Sequence, residues 1–180
     1  MKKIVTASIV LYLNDLIDLE KAIGCVLNTH QNIILYLIDN SPTDELKILS
    51  RNAQIAYLHN PNNPGFGAAH NIAISRAIEA GSMYHFIVNP DVYFDGDVVS
   101  SMVSYMKLDP KIGMMMPQIL NLDGTVQNLP KLLPSPFSIL LRKIKKPKRY
   151  YEKFIDRYEL RFVDEFKIYN VPVLSGCFTV

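Results

Sequence analysis

The sequence predicts an α/β fold, with a mostly parallel open sheet and helices on both of its faces. Three observations carry this expectation. Residues 4–12 and 33–39 are β-branched or apolar at almost every position, the pattern of strands covered on both sides. Between them, Leu16, Leu19, Ile23, Val26 and Leu27 recur at helical spacing and make one apolar stripe. The two patterns keep alternating as far as about Asn121. Repeated β and α units build a parallel sheet whose crossover helices pack on either side.

Each element has its own signal. The first apolar run ends in "LND", and Asn14, Asp15 and Asp18 open the first helix. "IILYLID" is the second strand and stops at Asp39. "NSPTDE" follows with turn residues, and with Asp44 and Glu45 suited to a helix amino terminus. "QIAYLHN" reads as a short third strand. "PNNPGFGAAHN" breaks the chain before a helix over residues 68–80, where Ala69, Ala73, Ala77, Ile74 and Ile78 form a face able to approach a sheet closely; Gly81 stops it. "MYHFIV" is the fourth strand and runs straight into "NPD". Val98, Val99, Met102, Val103 and Met106 mark the next helix, and "IGMMMPQIL" predicts a further strand with a bend at its proline. Beyond Asn121 the pattern changes. "LDGTVQ" is a hairpin turn, "LPKLLPSPF" is broken by proline, "LLRKIKKPKRYYEKF" is basic and aromatic, and residues 159–180 return to strand-like text. With no internal repeat or flexible linker, residues 1–180 read as a single domain with halves 1–120 and 121–180.

At 180 residues, 49% hydrophobic and 20% charged, the chain can bury a substantial core and is neither disordered nor of low complexity. A formal charge of +2, its positive residues gathered in one segment, argues against a nucleic-acid partner. Cys25 and Cys177 are too few for a disulfide framework and lack metal-ligand spacing, so both are expected reduced. Lys2 and Lys3 before an apolar run resemble the start of a secretory signal. No small-residue cleavage site follows, and a buried first strand is the expectation. No other stretch approaches the roughly 20 apolar residues that span a bilayer.

Asp39 and Asp91 both fall at predicted carboxyl ends of strands, the edge where open α/β sheets bind ligands. The competing explanation for each is an aspartate that accepts amides in its own turn. A dinucleotide site is disfavoured because "YLNDLI", after the first strand, has no glycine to let backbone approach a pyrophosphate. A calcium loop fails in "DVYFDGDVVSSM": Asp91, Asp95 and Gly96 fit, but Tyr93 and Met102 stand where ligands are required. Asp95 and Gly96 then read as a turn and Asp97 as a helix cap. What remains for Asp91 is a single carboxylate sharing a divalent cation with a diphosphate, since Mg²⁺ commonly takes only one or two protein carboxylates. His30, His59, His70 and His85 show no ligand pattern and read as packing or surface residues, and Met114 to Met116 as core filling.

"ASIVLYLN", "LIDNSPTDE", "NPNNPGFGAAHNIAI", "FIVNPDV", "PQILNLDGTVQ" and "LSGCF" follow in an order and spacing that resembles family 2 glycosyltransferases, particularly bacterial rhamnosyltransferase-like members. The resemblance covers essentially the whole chain. It implies a GT-A (nucleotide-diphospho-sugar transferase) fold, with Asp91 as ligand to Mg²⁺ or Mn²⁺ on the diphosphate of a UDP- or dTDP-sugar. By the same resemblance, Tyr12 lines the nucleobase pocket and Asp39 accepts the N3–H of a pyrimidine. Gly65, Phe66, Gly67 and Asn71 lie beside the nucleotide, Asn89 stands near the ribose, and Ser175, Gly176 and Cys177 lie near donor sugar and acceptor.

Family members usually continue past "SGCF" to an acidic segment that supplies the catalytic base, whereas this sequence stops at Val180; Asp164 and Glu165 precede the motif and do not match it. The catalytic base is thus unassigned. The expectation is a glycosyltransferase domain for inverting sugar transfer in bacterial surface polysaccharide synthesis, weakly active or inactive as this chain alone. Its acceptor would be a saccharide or lipid-linked saccharide. The alternative is a non-catalytic nucleotide-sugar-binding or interaction module. A nucleotidyltransferase ranks last, because the glycine- and arginine-rich early loop is missing. Arg142, Lys143, Lys145, Lys146, Lys148 and Arg149 follow the apolar "FSILL" at 137–141. That combination suits peripheral contact through 137–149 with the inner face of the cell membrane from a cytoplasmic location, in competition with an ordinary solvated surface.

Overall fold

The structure is a computed structural model and describes residues 4–164 and 167–180. Lys2, Lys3 and Glu165 lie outside the described residues. The chain divides into two compact units, residues 1–115 with 176–180, and residues 116–175.

The first unit is the expected open sheet. In chain order it holds β1 (Ile4–Leu11), α1 (Leu16–Leu27), β2 (Asn32–Asp39), a 3-10 helix (Glu45–Arg51), β3 (Ile55–His59), α2 (Phe66–Glu79), β4 (Tyr84–Val88), α3 (Val98–Leu108) and, from the far end of the sequence, β5 (Phe178–Thr179). The strand order is β3-β2-β1-β4-β5. β1 lies between β2 and β4 and runs parallel to both, with Ile4 opposite Asn32, Leu11 opposite Asp39 and Ser8 opposite Ile87. Only β5 is antiparallel, pairing Phe178 with Val88. The central position of β1 explains why its residues are apolar without alternation: every residue from Val5 to Leu11 is buried.

On one face, Ala69, Ala73 and Ala77 of α2 pack against Val10, Tyr36 and Ile38. Alanines at four-residue spacing leave no side chain to hold the helix away from the sheet. Ile78 was expected on this face and is 72% exposed. One residue further along a helix turns about 100°, off a stripe this narrow. Leu19, Ala22, Ile23 and Val26 of α1, and Val99, Met102, Val103 and Met106 of α3, are buried on the other side. Asp15 and Asp97 cap these helices as aspartates should, accepting from the amides of Ile17 and Asp18, and of Ser100.

The structure corrects three expectations about the elements. "NSPTDE" opens a 3-10 helix that buries none of its residues. Without an apolar stripe to dock, the segment gains nothing from a longer α-helix. "IGMMMPQIL" does not form a strand of the sheet. Met115 and Val180 exchange a pair of backbone hydrogen bonds of 2.9 Å each, but Pro117 has no N–H with which to extend a ladder. Of the strand-like text at 159–180, the described residues yield only the two-residue β5 and an isolated bridge between Val173 and Lys131.

The second unit contains α4 (Pro136–Ile144) and α5 (Lys148–Tyr158). The hairpin turn expected at "LDGTVQ" is present: Leu120 bridges Val126, and Gly124 supplies the positive φ of +83°. Ser135 and Ser138 form a reciprocal capping box at the start of α4, and Lys145 ends that helix in a left-handed conformation. Tyr158 anchors the unit. Phe154 stacks on it at 5.5 Å, the Arg142 guanidinium lies 5.4 Å from its ring centre, and its carbonyl accepts from Leu132 N–H.

Candidate functional site

In the first unit, the carboxyl ends of β3, β2, β1 and β4 lie side by side, and the loops that leave β3, β2 and β1 are hydrogen-bonded to one another. Asn40 N–H donates to the Leu11 carbonyl (2.9 Å), Asn60 N–H to the Asp39 carbonyl (2.7 Å), and Leu13 N–H to Ser41 Oγ (2.9 Å). Asn60 Nδ2 reaches Asn40 Oδ1, and His59 Nε2 contacts the Ser41 carbonyl. Asn40 and Ser41 are buried polar residues that do this work and that sequence reasoning missed. Their only signal was position, directly after a strand in turn-forming text.

Asp39 is fully buried. One carboxylate oxygen accepts from Ser41 N–H at 2.9 Å, the turn bond that the competing explanation expected, and the other accepts from Tyr57 O–H at 2.6 Å. Burial first, and then this bond to a carboxylate, raise the Tyr57 pKa well above the usual phenol value. Tyr12 stands beside this turn, just past β1, with about half its surface exposed.

Asp91 is different. It is exposed, three residues past the end of β4, and its carboxylate makes no hydrogen bond or ion pair among the described residues. β5 determines what lies next to it. Because β5 runs antiparallel to β4, the residues just before Phe178 emerge at the carboxyl end of β4, where Asn89 N–H donates to the Cys177 carbonyl at 2.7 Å. Phe66, at the start of α2, reaches the same place: a Cβ built on Gly176 would sit 3.9 Å from its ring. "GFG", "NPD" and "GC", some 110 residues apart at the extremes of the sequence, therefore meet at one sheet edge (about 110 is the span from 65–67 to 176–177). Gly65 turns the chain into α2 with φ +94° and no side-chain cap, so the first helical amides stay open to solvent ligands. Gly67 and Asn71 are exposed along the same first turns. Ser175 belongs to the second unit.

The donor set fits a divalent cation shared with a ligand and does not fit a closed protein cage. Among the described residues no three acidic, histidine or cysteine side chains converge. A single exposed carboxylate leaves most of an octahedron to water and phosphate oxygens. A cavity of about 830 Å³ opens at the opposite, amino-terminal edge of the sheet near Asn32, Tyr84 and Met106, but its lining holds no carboxylate. Cys25 and Cys177 are free thiols.

Beneath α2 runs a buried polar chain that the sequence did not disclose. Ser8 Oγ lies 2.8 Å from both His70 Nδ1 and His85 Nε2, and His85 Nδ1 lies 2.9 Å from Thr6 Oγ1. Thr6 in turn donates to Ser82, 3.0 Å away. Burial lowers both histidine pKa values to about 4, with the neighbouring His70 adding to the effect on His85. Both rings are therefore neutral at ordinary pH. The His70 ring also packs edge-on against Phe66 at 4.3 Å, which ties the sheet interior to the start of α2.

The open, mostly parallel sheet with an antiparallel edge strand is a GT-A glycosyltransferase fold, and solved structures share that fold. The chain matches the mannosyltransferase PcManGT from Pyrobaculum calidifontis, solved in complex with GDP-Man and Mn²⁺, with TM-score 0.52 and 14% identity, over 67% of this chain and 36% of that one. It matches residues 1–349 of S. aureus TarS with TM-score 0.53 and 15% identity, over 81% of this chain and 49% of that one. The chain thus spans 36% to 49% of the length of these structures. No curated protein matches it. The family model described as glycosyl transferase family 2 matches residues 9–175, and the chain belongs to that family.

Proposed function

We propose that the chain binds a nucleotide-diphospho-sugar, a UDP- or dTDP-sugar, for inverting transfer of a hexosyl or rhamnosyl group in bacterial surface polysaccharide synthesis. The observation that carries this is the exposed carboxylate of Asp91, unpaired among the described residues, two positions past Asn89, whose amide bonds Cys177 next to Gly176 and the approach of Phe66. Asp91 would hold Mg²⁺ or Mn²⁺, and such a cation, when bound, offsets charge developing on the leaving diphosphate. The open amides behind Gly65 would receive phosphate oxygens, with Gly67 and Asn71 alongside. Asn89 would stand at the ribose, and Ser175, Gly176 and Cys177 at the donor sugar and acceptor. Tyr12 would cover the base. Because Asp39 is closed to solvent and already accepts from Ser41 and Tyr57, its proposed bond to a pyrimidine N3–H requires those partners to give way.

In this proposal residues 1–120 form the nucleotide-binding half, and 121–180 begin the half that meets a saccharide or lipid-linked saccharide acceptor. A cytoplasmic location against the membrane suits a lipid-linked acceptor. Among the described residues no helix is long and apolar enough to cross a membrane.

Calorimetry with UDP, dTDP and GDP, each with and without Mn²⁺, tests the assignment; GDP enters because the Pyrobaculum structure holds GDP-Man. Asp91→Ala is expected to keep the fold and to lose the Mn²⁺-dependent part of the affinity, about tenfold or more. Equal binding by both chains would overturn the metal assignment, and no nucleotide binding at all would overturn the donor reading. Transfer from a radiolabelled nucleotide sugar would then distinguish an active transferase from a binding module.

A further inference from the structure

We propose that α4 and the basic run behind it form a docking site for an anionic phospholipid surface, with a headgroup phosphate held among Arg142, Lys143 and Lys145. This deepens the membrane contact raised above and rests on the second unit alone. Ser138 and Leu141 are the buried residues of α4. The flank beside them presents Phe137, Leu140 and Ile144, which are 59%, 52% and 55% exposed. Their spacing of three and then four residues places them on one stripe, so the apolar surface of the helix continues from buried Leu141 out to solvent. A contiguous exposed patch of this kind marks an interaction surface.

Charge selects the occupant. From Arg142 to Arg149 the chain carries Arg142, Lys143, Lys145, Lys146, Lys148 and Arg149 with no acidic residue between them. Among the described residues Lys143, Lys145 and Lys146 form no ion pair within the protein. Lys145 caps α4 in the left-handed conformation, and the Arg142 guanidinium is steadied over the Tyr158 ring. Together with Ile139 and Tyr151, Arg142, Lys143 and Lys145 line a cavity of about 360 Å³. Three cations lining a small cavity suit a phosphate, and an adjacent apolar stripe suits the acyl boundary beneath a layer of headgroups. An apolar groove on another protein would match the stripe and leave the cations unanswered.

Vesicle co-sedimentation without nucleotide tests this, comparing phosphatidylcholine with phosphatidylcholine doped with phosphatidylglycerol. The chain is expected to partition onto the doped vesicles only. Lys143→Glu/Lys145→Glu/Lys146→Glu should lower that partition about a hundredfold, given roughly one kcal/mol for each basic residue at an anionic surface. Phe137→Ser/Leu140→Ser/Ile144→Ser should lower it at least about tenfold. Equal partition onto both vesicle types, no partition onto either, or unchanged partition of the serine variant would each overturn the proposal. Thermal melts check that the variants fold, and Leu140→Ser alone replaces the triple serine chain if that melts early. Because no nucleotide is present, this result and the calorimetric one fail independently.

Discussion

Asp39 ends β2 and Asp91 lies three residues past β4 at the same sheet edge, yet the fold treats them in opposite ways. Asp39 is closed over by Ser41 and Tyr57, whereas Asp91 is left in solvent. Tyr57→Phe is expected to cost about 1–2 kcal/mol in a urea unfolding titration, because it removes the hydroxyl donor from a buried carboxylate. Asp97 offers a test independent of any ligand. Burial alone would push its pKa up, but hydrogen bonds from His30 N–H, the Thr29 hydroxyl and Ser100 outweigh burial and hold it at about 2. It both caps α3 and receives the His30 amide from the loop before β2. Asp97→Ala should therefore destabilise the chain by about 1–2 kcal/mol, the upper range for a lost cap, as read by the same titration.

Among the elements, the start of α2 separates packing from function. Gly65 and Gly67 both have open space where a Cβ would stand, but only Gly65 has a positive φ. Gly65→Ala is expected to cost about 1–2 kcal/mol from backbone strain alone. Gly67→Ala sits in a helix without strain and should stabilise the free protein by about 0.5–1 kcal/mol. If a nucleotide diphosphate lies against this turn, the same methyl group should weaken nucleotide binding. Higher melting temperature with lower affinity is the expected pair of results, and unchanged affinity would remove Gly67 from the site.

At the scale of the whole molecule, buried His70 and half-buried His85 make stability depend on pH. Their folded pKa values, about 4, lie below the ordinary histidine value of 6.5, so the unfolded chain binds more protons between those limits. Stability is therefore complete above about pH 6.5 and falls as the pH drops toward 4. For His70 the loss should be on the order of 2 kcal/mol by pH 5. Denaturant titrations at pH 7 and pH 5 measure it. His70→Asn, which cannot take up the proton, should flatten the dependence by about the His70 share. An equal slope in wild type and variant would show that the charge is accommodated elsewhere.

The sequence by itself determined the alternation of strands and helices up to α3, the burial of β1, and the cap at Asp97, because those features depend on local periodicity and on side chains bonding to their own turns. It also placed Asp39 at a strand end, with Asp91 falling three residues past β4, and the ordered motifs pointed to the family that the match over residues 9–175 then established. Periodicity failed at 112–120 and 159–180, where apolar text carried strand propensity but found almost no ladder. Only the tertiary structure decided that a two-residue strand from the far end of the chain pairs with β4, carrying Gly176 and Cys177 to Asn89 and Phe66. It alone joined Thr6, Ser8, His70 and His85 into one buried chain. Those contacts join residues roughly 60 to 110 positions apart, and no local pattern encodes which distant strand a backbone edge or a buried hydroxyl will meet.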